Sequence, residues 1–100
     1  MRPKKTRWVK CNTSQRIFKP QTDPGSKKFI VLTLDEFEAV RLLDYEHLSQ
    51  IEVAKEMRVH RSTVSRIISS ARQKIAQALV DINTLKIEGG CCKVIKGGGI

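Results

Sequence analysis

The sequence predicts a mainly α-helical domain of three helices, with extended N- and C-terminal arms that are able to pair as a small sheet. Three observations support this fold class. Apolar residues recur at helical spacing over three stretches, two of which begin with a capping box. Aromatic residues make up only 5% of the chain, so the core must be built mainly from Leu, Ile, Val and Ala, which suits packed helices. A chain of 100 residues has room for one modest core.

Capping boxes at Thr33–Glu36 and Ser49–Glu52 mark the starts of the first two helices. Apolar spacing extends these helices over about residues 34–45 and 50–57, and a third over about 61–81. The first carries acids near its start, where the helix dipole favours them. We expect this acidic face to be structural and to point away from DNA. The core positions predicted for the second and third helices are Ile51, Val53, Ala54 and Met57, and Val64, Ile67, Ile68, Ala71, Ile75, Ala78, Leu79 and Ile82.

The residues Arg58-Val59-His60 are predicted to form a tight turn between the second and third helices. The first position of such a turn commonly needs a left-handed backbone, which costs a non-glycine residue about 1 kcal/mol. His60 would cap the third helix, although histidine is a poorer cap than serine. At Ala54, a larger side chain would hold the two helices apart. A short helix, a three-residue turn and a long helix make the layout of a helix-turn-helix, whose second helix enters the major groove of DNA.

The positive charge of the chain is concentrated in two segments. The formal net charge is +9 and the pI about 9.9, which favours association with a polyanion through counterion release. Residues 1–28 carry +8, residues 29–57 carry −5 and residues 58–80 carry +5. The basic N-terminal arm, residues 1–10, and the third helix are therefore expected to face nucleic acid.

Short hydroxyls beside arginines cover the polar face of the third helix, whereas a merely solvated face usually carries Glu with Lys at i, i+4. Ser and Thr can bond phosphate or base edges without filling the groove, and Arg can pair bidentately with guanine. We predict DNA contacts from Arg58, His60, Arg61, Ser62, Thr63, Ser65, Arg66, Ser69 and Arg72, and from Lys4, Lys5 and Arg7 in the arm.

The C-terminal sequence alternates on both sides of a Gly-Gly pair. Residues 84–88 and 92–96 are predicted to form a hairpin about Gly89 and Gly90. A lone hairpin is marginal in water, so a third strand is expected from residues 15–19 or 29–32, or from a second subunit. The domain is thus expected to span residues 11–90, with a Cys- and Gly-rich tail over residues 91–100.

The three cysteines, Cys11, Cys91 and Cys92, lack CxxC spacing and are interpreted as incidental reduced thiols rather than metal ligands. The alternative is a metal- or redox-responsive cluster, formed if both terminal arms join one sheet. No cofactor is expected. The chain also lacks a Gly-rich phosphate loop, paired carboxylates in an apolar setting and a nucleophile beside a base, so an enzyme is not expected.

The stretch LTLDEFEAVRLLDYEHLSQIEVAKEMRVHRSTVSRIISSARQKIAQALV resembles DNA-binding region 4 of bacterial sigma factors. The whole chain from residue 7 to Gly90 resembles a family of small prokaryotic proteins described only as predicted DNA-binding proteins. Its members share a basic start, an LTLDEFEAVRL-type first helix, an LSQ-E-A turn, an RST start to the recognition helix and a terminal LKIEGG, all of which occur here. The resemblance implies a DNA-binding helix-turn-helix, in which Arg58 replaces the usual Gly and His60 the usual Ser.

These features predict a transcriptional regulator that inserts the third helix into the major groove of double-stranded DNA. Two alternatives stay open: a module of the same fold that contacts RNA polymerase or another protein, and the cysteine-based switch. One recognition helix contacts few base pairs, so a homodimer is expected, through the C-terminal half of the third helix and the terminal strands. With no signal peptide and no apolar run near the roughly 18 residues of a membrane span, we expect a cytoplasmic protein.

Overall fold

The computed structural model of the chain describes residues 7–10, 15–21, 28–90 and 92–94. These residues form a mixed α/β fold of three helices and a small three-stranded sheet, with a separate pair of strands. None of the described helices is long and apolar enough to cross a membrane. The elements, in chain order, are β1 (Arg7–Val9), β2 (Arg16–Phe18), β3 (Phe29–Leu32), α1 (Leu34–Val40) with a π-helical turn (Arg41–Tyr45), α2 (Gln50–Met57), α3 (Arg61–Val80), β4 (Thr84–Ile87) and β5 (Cys92–Val94).

The three predicted helices are confirmed, and their starts follow the predicted capping boxes. The Ser49 amide donates to the Glu52 carboxylate at 2.9 Å, and the Glu52 amide donates to the Ser49 hydroxyl at 3.2 Å. The Thr33 amide likewise donates to Glu36 Oε1 at 2.9 Å. The first helix differs from an ideal α-helix in its second half, where the Glu46 amide donates to the Arg41 carbonyl at 2.8 Å. This wider turn continues the helix to Tyr45.

The sheet makes the fold mixed α/β rather than mainly α, and it corrects the predicted hairpin. The central strand β4 pairs antiparallel with β2 and parallel with β3, so both proposed sources of a third strand join it. The second predicted hairpin strand does not pair with β4, because β5 pairs in parallel with β1 instead. The arms at the two ends of the chain therefore meet, as expected.

The Gly-Gly pair explains why the chain does not turn back on β4. The Leu34 amide donates to the Gly89 carbonyl at 2.9 Å, which ties this segment to the start of α1. Gly90 has a φ of +103°, and a Cβ there would lie 3.1 Å from Cβ of Thr33. Only glycine fits this close approach without displacing its neighbour. The segment therefore leads the chain past the N-terminus of α1 towards β1.

The core has two parts that share α3. Its first half packs with α1, the π turn and α2 in a cluster of Ala39, Leu42, Val53, Ala54, Met57, Val64, Ile67 and Ile68. Its middle packs on the sheet, where Ala71 joins Leu32 and Ile87.

Three residues predicted to be in the core are exposed instead. Ile51, at the start of α2, is exposed, and at the end of α3 Leu79 is 75% exposed and Ile82 50% exposed. Helical spacing places the last two on the stripe that faces the sheet. Among the described residues, no element covers this stripe beyond Ala78. The apolar periodicity of the helix therefore continues past the end of the core.

Ala54 tests how closely α2 and α3 pack. It is buried in the cluster that the two helices share. Ala54→Leu is expected to lower the free energy of unfolding by about 1–3 kcal/mol, because added methylenes strain a filled core. Lys55→Leu adds the same side chain at the neighbouring exposed position, and we expect a change within about 0.5 kcal/mol. Urea denaturation measures both. Equal losses in the two variants would show that Ala54 is not a close contact.

Candidate nucleic-acid interface

The turn between α2 and α3 is closed by hydrogen bonds and by an aromatic contact. Arg58 has φ 57° and ψ 46°, the left-handed conformation that the sequence predicted. The Val59 amide donates to the Ala54 carbonyl at 3.0 Å. The guanidinium carbon of Arg58 lies 3.9 Å from the centroid of the Trp8 ring, at cation–π distance. This contact links strand β1 to the turn and offsets part of the cost of a non-glycine residue there.

His60 caps α3 with its side chain. Its backbone is extended, and its Nδ1 accepts a hydrogen bond from the Ser62 amide at 3.1 Å. The Ser62 hydroxyl also lies 2.9 Å from Nδ1. The imidazole thus supplies the capping acceptor, and both side chains remain exposed at the helix start.

The first half of α3 displays arginines that the fold does not use. Arg61, Ser62, Arg66 and Ser69 are exposed. Among the described residues, no carboxylate pairs with Arg61 or Arg66. The sequence carries no acid between Glu56 and Asp81, so nothing along the helix itself neutralises them. This face presents positive charge and short hydroxyls together.

Two further predicted contacts on α3, Thr63 and Ser65, are half-buried. The Ser65 hydroxyl donates to Oε1 of Gln50 at 2.7 Å, which joins the start of α2 to the exposed face of α3. Gln50 was not among the predicted contacts, although it is the first residue of α2. With its oxygen held by Ser65, its amide nitrogen can donate outward.

Arg72 is also on this helix, but it is held by the first helical segment. Its Nη2 lies 2.6 Å from Oδ1 of Asp44, and its Nε lies 3.3 Å from Oδ2. This hydrogen bond raises the pKa of Arg72 above its ordinary value. The paired guanidinium has fewer donors left for a ligand than Arg61 or Arg66.

The side chain of Arg7 lies against the acids of α1 and is not displayed with Arg61 and Arg66. Its side chain is 12% exposed, and its Nε lies 3.8 Å from Oδ2 of Asp35. Its Nε and Nη1 atoms are buried and have no hydrogen-bond partner among the described residues. Arg7 therefore stays with the interior carboxylates, and the remaining predicted arm contacts, Lys4 and Lys5, lie outside the described residues.

The acids of α1 point inward and bind basic segments of the fold. Asp35, Glu36 and Glu38 are all buried. Glu38 accepts from the Lys10 amide at 2.7 Å and from Nε of Arg41 at 2.7 Å. The structural role predicted for this helix thus takes the form of buried carboxylates rather than a solvated acidic face.

Glu36 connects α1 to the second half of α3. It accepts from the Ser70 hydroxyl at 2.6 Å and from Nζ of Lys74 at 2.8 Å. Burial by itself raises the pKa of the Glu36 carboxyl. The hydrogen bonds from Lys74, Ser70 and Thr33 outweigh burial and hold that pKa below its ordinary value.

The described residues contain no group of three or more His, Cys, Asp or Glu side chains that could hold a metal ion. Cys11 and Cys91 lie outside the described residues, and of Cys92 the structure describes only the strand, where it is opposite Arg7. The cysteine-based switch therefore stays a sequence hypothesis.

Comparisons with known proteins place the chain in a family. A family model described as a protein of unknown function, DUF134, matches residues 1–95. The chain belongs to this family. Its members occur widely in prokaryotes. The match includes every described element, from β1 to β5, so the exposed face of α3 and the buried acids both lie inside the segment that defines the family.

Relatives carry the name UPF0251 protein. One from Caldanaerobacter subterraneus subsp. tengcongensis is 49% identical over 93% of this chain and 80% of its own length. One from Thermoanaerobacter pseudethanolicus is 47% identical over 93% of this chain and 80% of its own length. One from Methanosarcina mazei is 40% identical over 97% of this chain and 60% of its own length. No solved structure matches the chain.

The buried carboxylate of Glu36 predicts a pH-dependent stability. Because its folded pKa lies below 4.5, it stabilises the fold above that pH, and this stabilisation is lost as the pH falls through the folded pKa. Glu36→Gln should therefore be less stable than the wild type at neutral pH, and the difference should shrink below pH 4.5.

Urea denaturation at several pH values measures this difference. Glu46→Gln removes a more exposed carboxylate, whose ion pair with Arg41 is 3.2 Å long, and serves as the control. A stability difference between Glu36→Gln and the wild type that stays constant from neutral to acid pH would contradict the assigned role.

Proposed function

We propose that this protein binds double-stranded DNA with α2, the turn and α3 acting as a helix-turn-helix like that of sigma factor region 4. The exposed face of α3 carries the proposal, because Arg61 and Arg66 stand there without a carboxylate partner among the described residues. Arg7 and Arg41, by contrast, pair with buried acids of α1, and Arg72 pairs with Asp44. Charge and short hydroxyls on the first turns of a helix after a tight turn suit the major groove.

The residues of this face divide into base-reading and phosphate-binding groups. Arg66 lies one turn into α3 and is exposed, so we assign it to a base edge, with guanine as the preferred partner. Arg58 and Gln50 lie beside the helix start and are assigned to phosphates, which fix the position of the protein without reading sequence. The hydroxyls of Ser62 and Ser69 flank Arg66 and suit either contact.

The N-terminal arm adds sequence-independent affinity in this proposal. Lys4 and Lys5 precede β1, and Trp8 in β1 stacks on Arg58 of the turn. Strand β1 therefore begins next to the proposed DNA side of the molecule. A basic segment that starts there is well placed to follow the phosphate backbone.

A regulator of transcription is the role that this DNA-binding mode suits best in a prokaryotic family. The chain carries one reading helix and, in its sequence, no motif of nucleic-acid chemistry. Selection of bound sequences from random duplex DNA, repeated at two salt concentrations, tests the proposal directly. The proposal would be rejected if the selection recovered no preferred sequence and the affinity for DNA did not depend on salt.

Arg66→Ala tests the base contact. At the selected site it is expected to cost about 1–3 kcal/mol of binding free energy and to relax the preference at one base pair. Arg72→Ala removes the same charge from the same helix, but its guanidinium is held by Asp44. We expect this control to lose less affinity and to keep the sequence preference. Unchanged affinity and unchanged sequence preference in Arg66→Ala would contradict the assignment of Arg66 to a base edge.

Replacing both Lys4 and Lys5 by Ala tests the arm. Affinity should fall by a similar factor on all sequences, and the negative slope of log K against log salt should decrease in magnitude by about 1.8, or about 0.9 for each phosphate contact. A double variant at Lys28 and Lys86 removes two lysines outside the helix-turn-helix and the arm, and is the matched control. Salt titrations monitored by fluorescence anisotropy measure the slopes. An arm variant whose slope equals that of the wild type would show that the arm contacts no phosphate.

A further inference from the structure

The C-terminal end of α3 and strand β2 enclose an open apolar groove. Its volume is about 450 Å³, and its apolar lining comes from Phe18, Ile75, Ala78, Leu79, Ile82 and Leu85. Several of these side chains are largely exposed, with Leu79 at 75% and Phe18 at 58%. Val80 beside them is 78% exposed. A contiguous exposed apolar patch of this kind on a small protein marks an interaction site.

The charges at the groove are unlike those of the rest of the molecule. The chain carries +9, yet α3 has no charged residue from Ile75 to Val80. Lys19 is the charged residue among those that line the groove, and Asp81 follows Val80. Lys74, before Ile75, is bound by Glu36, and Lys86, after Leu85, lies over the ring of Phe29. In the described part of this surface, the opposite charges of Lys19 and Asp81 therefore sum to zero. The groove itself therefore offers little charge to a nucleic acid or to a strongly charged protein.

A surface with no net charge can meet a copy of itself without repulsion. In a two-fold symmetric contact the same patch lies on both protomers. Each charged residue of the patch therefore faces the charges of an identical patch, and these must be opposite to its own or absent. Lys19 and Asp81 satisfy this requirement, because each can face the other across the axis. The uncharged stretch of α3 would form the apolar centre, as the cores of homodimer interfaces require.

We propose that this groove is the interface of a homodimer, with a second copy of the chain as its occupant. The end of α3 and strand β2 of one protomer pack against the same elements of its partner, and Leu79 and Phe18 are the main anchors. The groove is small compared with a standard interface, so the dissociation constant is expected in the micromolar range.

The position of the groove also suits the DNA proposal, and this one point rests on it. α3 is 20 residues long, so Arg61 and Leu79 are separated by about 27 Å along the helix. With a two-fold axis at the groove, the N-terminal end of α3 stays exposed in both protomers and points away from the axis. When the α3 helices of the two protomers lie at an angle to each other, their N-terminal ends can be separated by the roughly 34 Å between DNA half-sites that are one helical turn apart.

Sedimentation equilibrium of the full chain without DNA tests the dimer, over about 1 to 500 µM protein. The wild type should show a monomer–dimer equilibrium within this range. Leu79→Glu places a carboxylate on each side of the apolar contact and should weaken the dimer roughly 100-fold. Phe18→Ser removes the anchor on the other wall of the groove and should weaken it as well. Circular dichroism checks that both variants keep the helical content of the wild type.

Gln77→Glu is the matched control, because it adds the same charge to an exposed position of α3 that does not line the groove. Its dimer should remain within about threefold of the wild type. A wild type that stays monomeric up to the highest concentration would overturn the inference, and so would equal weakening by Leu79→Glu and Gln77→Glu. A dimer that does not bind DNA would reject the proposed function and keep this inference. Single half-site binding by monomeric Leu79→Glu would keep the proposed function.

Discussion

Three buried carboxylates in the first two turns of α1 hold the N-terminal strand β1 and the longest helix, α3, against α1. Asp35 pairs with Arg7, Glu38 accepts from the Lys10 amide and Glu36 binds Lys74. Breaking such a buried pair leaves an uncompensated charge in the interior, which is strongly destabilising. The β1 strand and the second half of α3 are therefore fixed relative to α1. The acids also decide which cations are structural, since the guanidinium groups of Arg7 and Arg41 are largely buried against them and Lys74 is bound by Glu36.

Helix α3 presents three different surfaces along its length. Its first turns display Arg61 and Arg66, its middle packs on the sheet through Ala71, and its last turns expose Leu79 and Val80. Because a helix rises about 1.5 Å per residue, the charged and apolar ends lie too far apart to interfere. The fold thus separates a surface suited to a polyanion from one suited to protein, and the rigid helix sets the distance between them.

The ends of α2 and α3 depend on residues in left-handed conformations that glycine would adopt at less cost. Arg58 closes α2 with φ 57°, and Ile82 follows α3 with φ 57°. The Asn83 amide donates to the Ala78 carbonyl at 2.9 Å, which completes the hydrogen-bonded end of α3. Stacking of Arg58 on Trp8 accounts for the first of these positions. At Ile82 the conformation costs about 1–2 kcal/mol and places the side chain in the lining of the apolar groove.

The sequence by itself determined the helices, because capping boxes and apolar spacing act over a few residues. It set the start of α2 at Ser49, the left-handed turn at Arg58 and the acid-free face of α3. Tertiary structure decided what depends on residues far apart in the chain. The parallel pairing of β1 with β5, the burial of Arg7 and the Arg72–Asp44 ion pair all join segments with no local signal for one another. Helical periodicity likewise marked Leu79 and Ile82 as apolar, but whether a neighbour covers them depends on where the sheet ends.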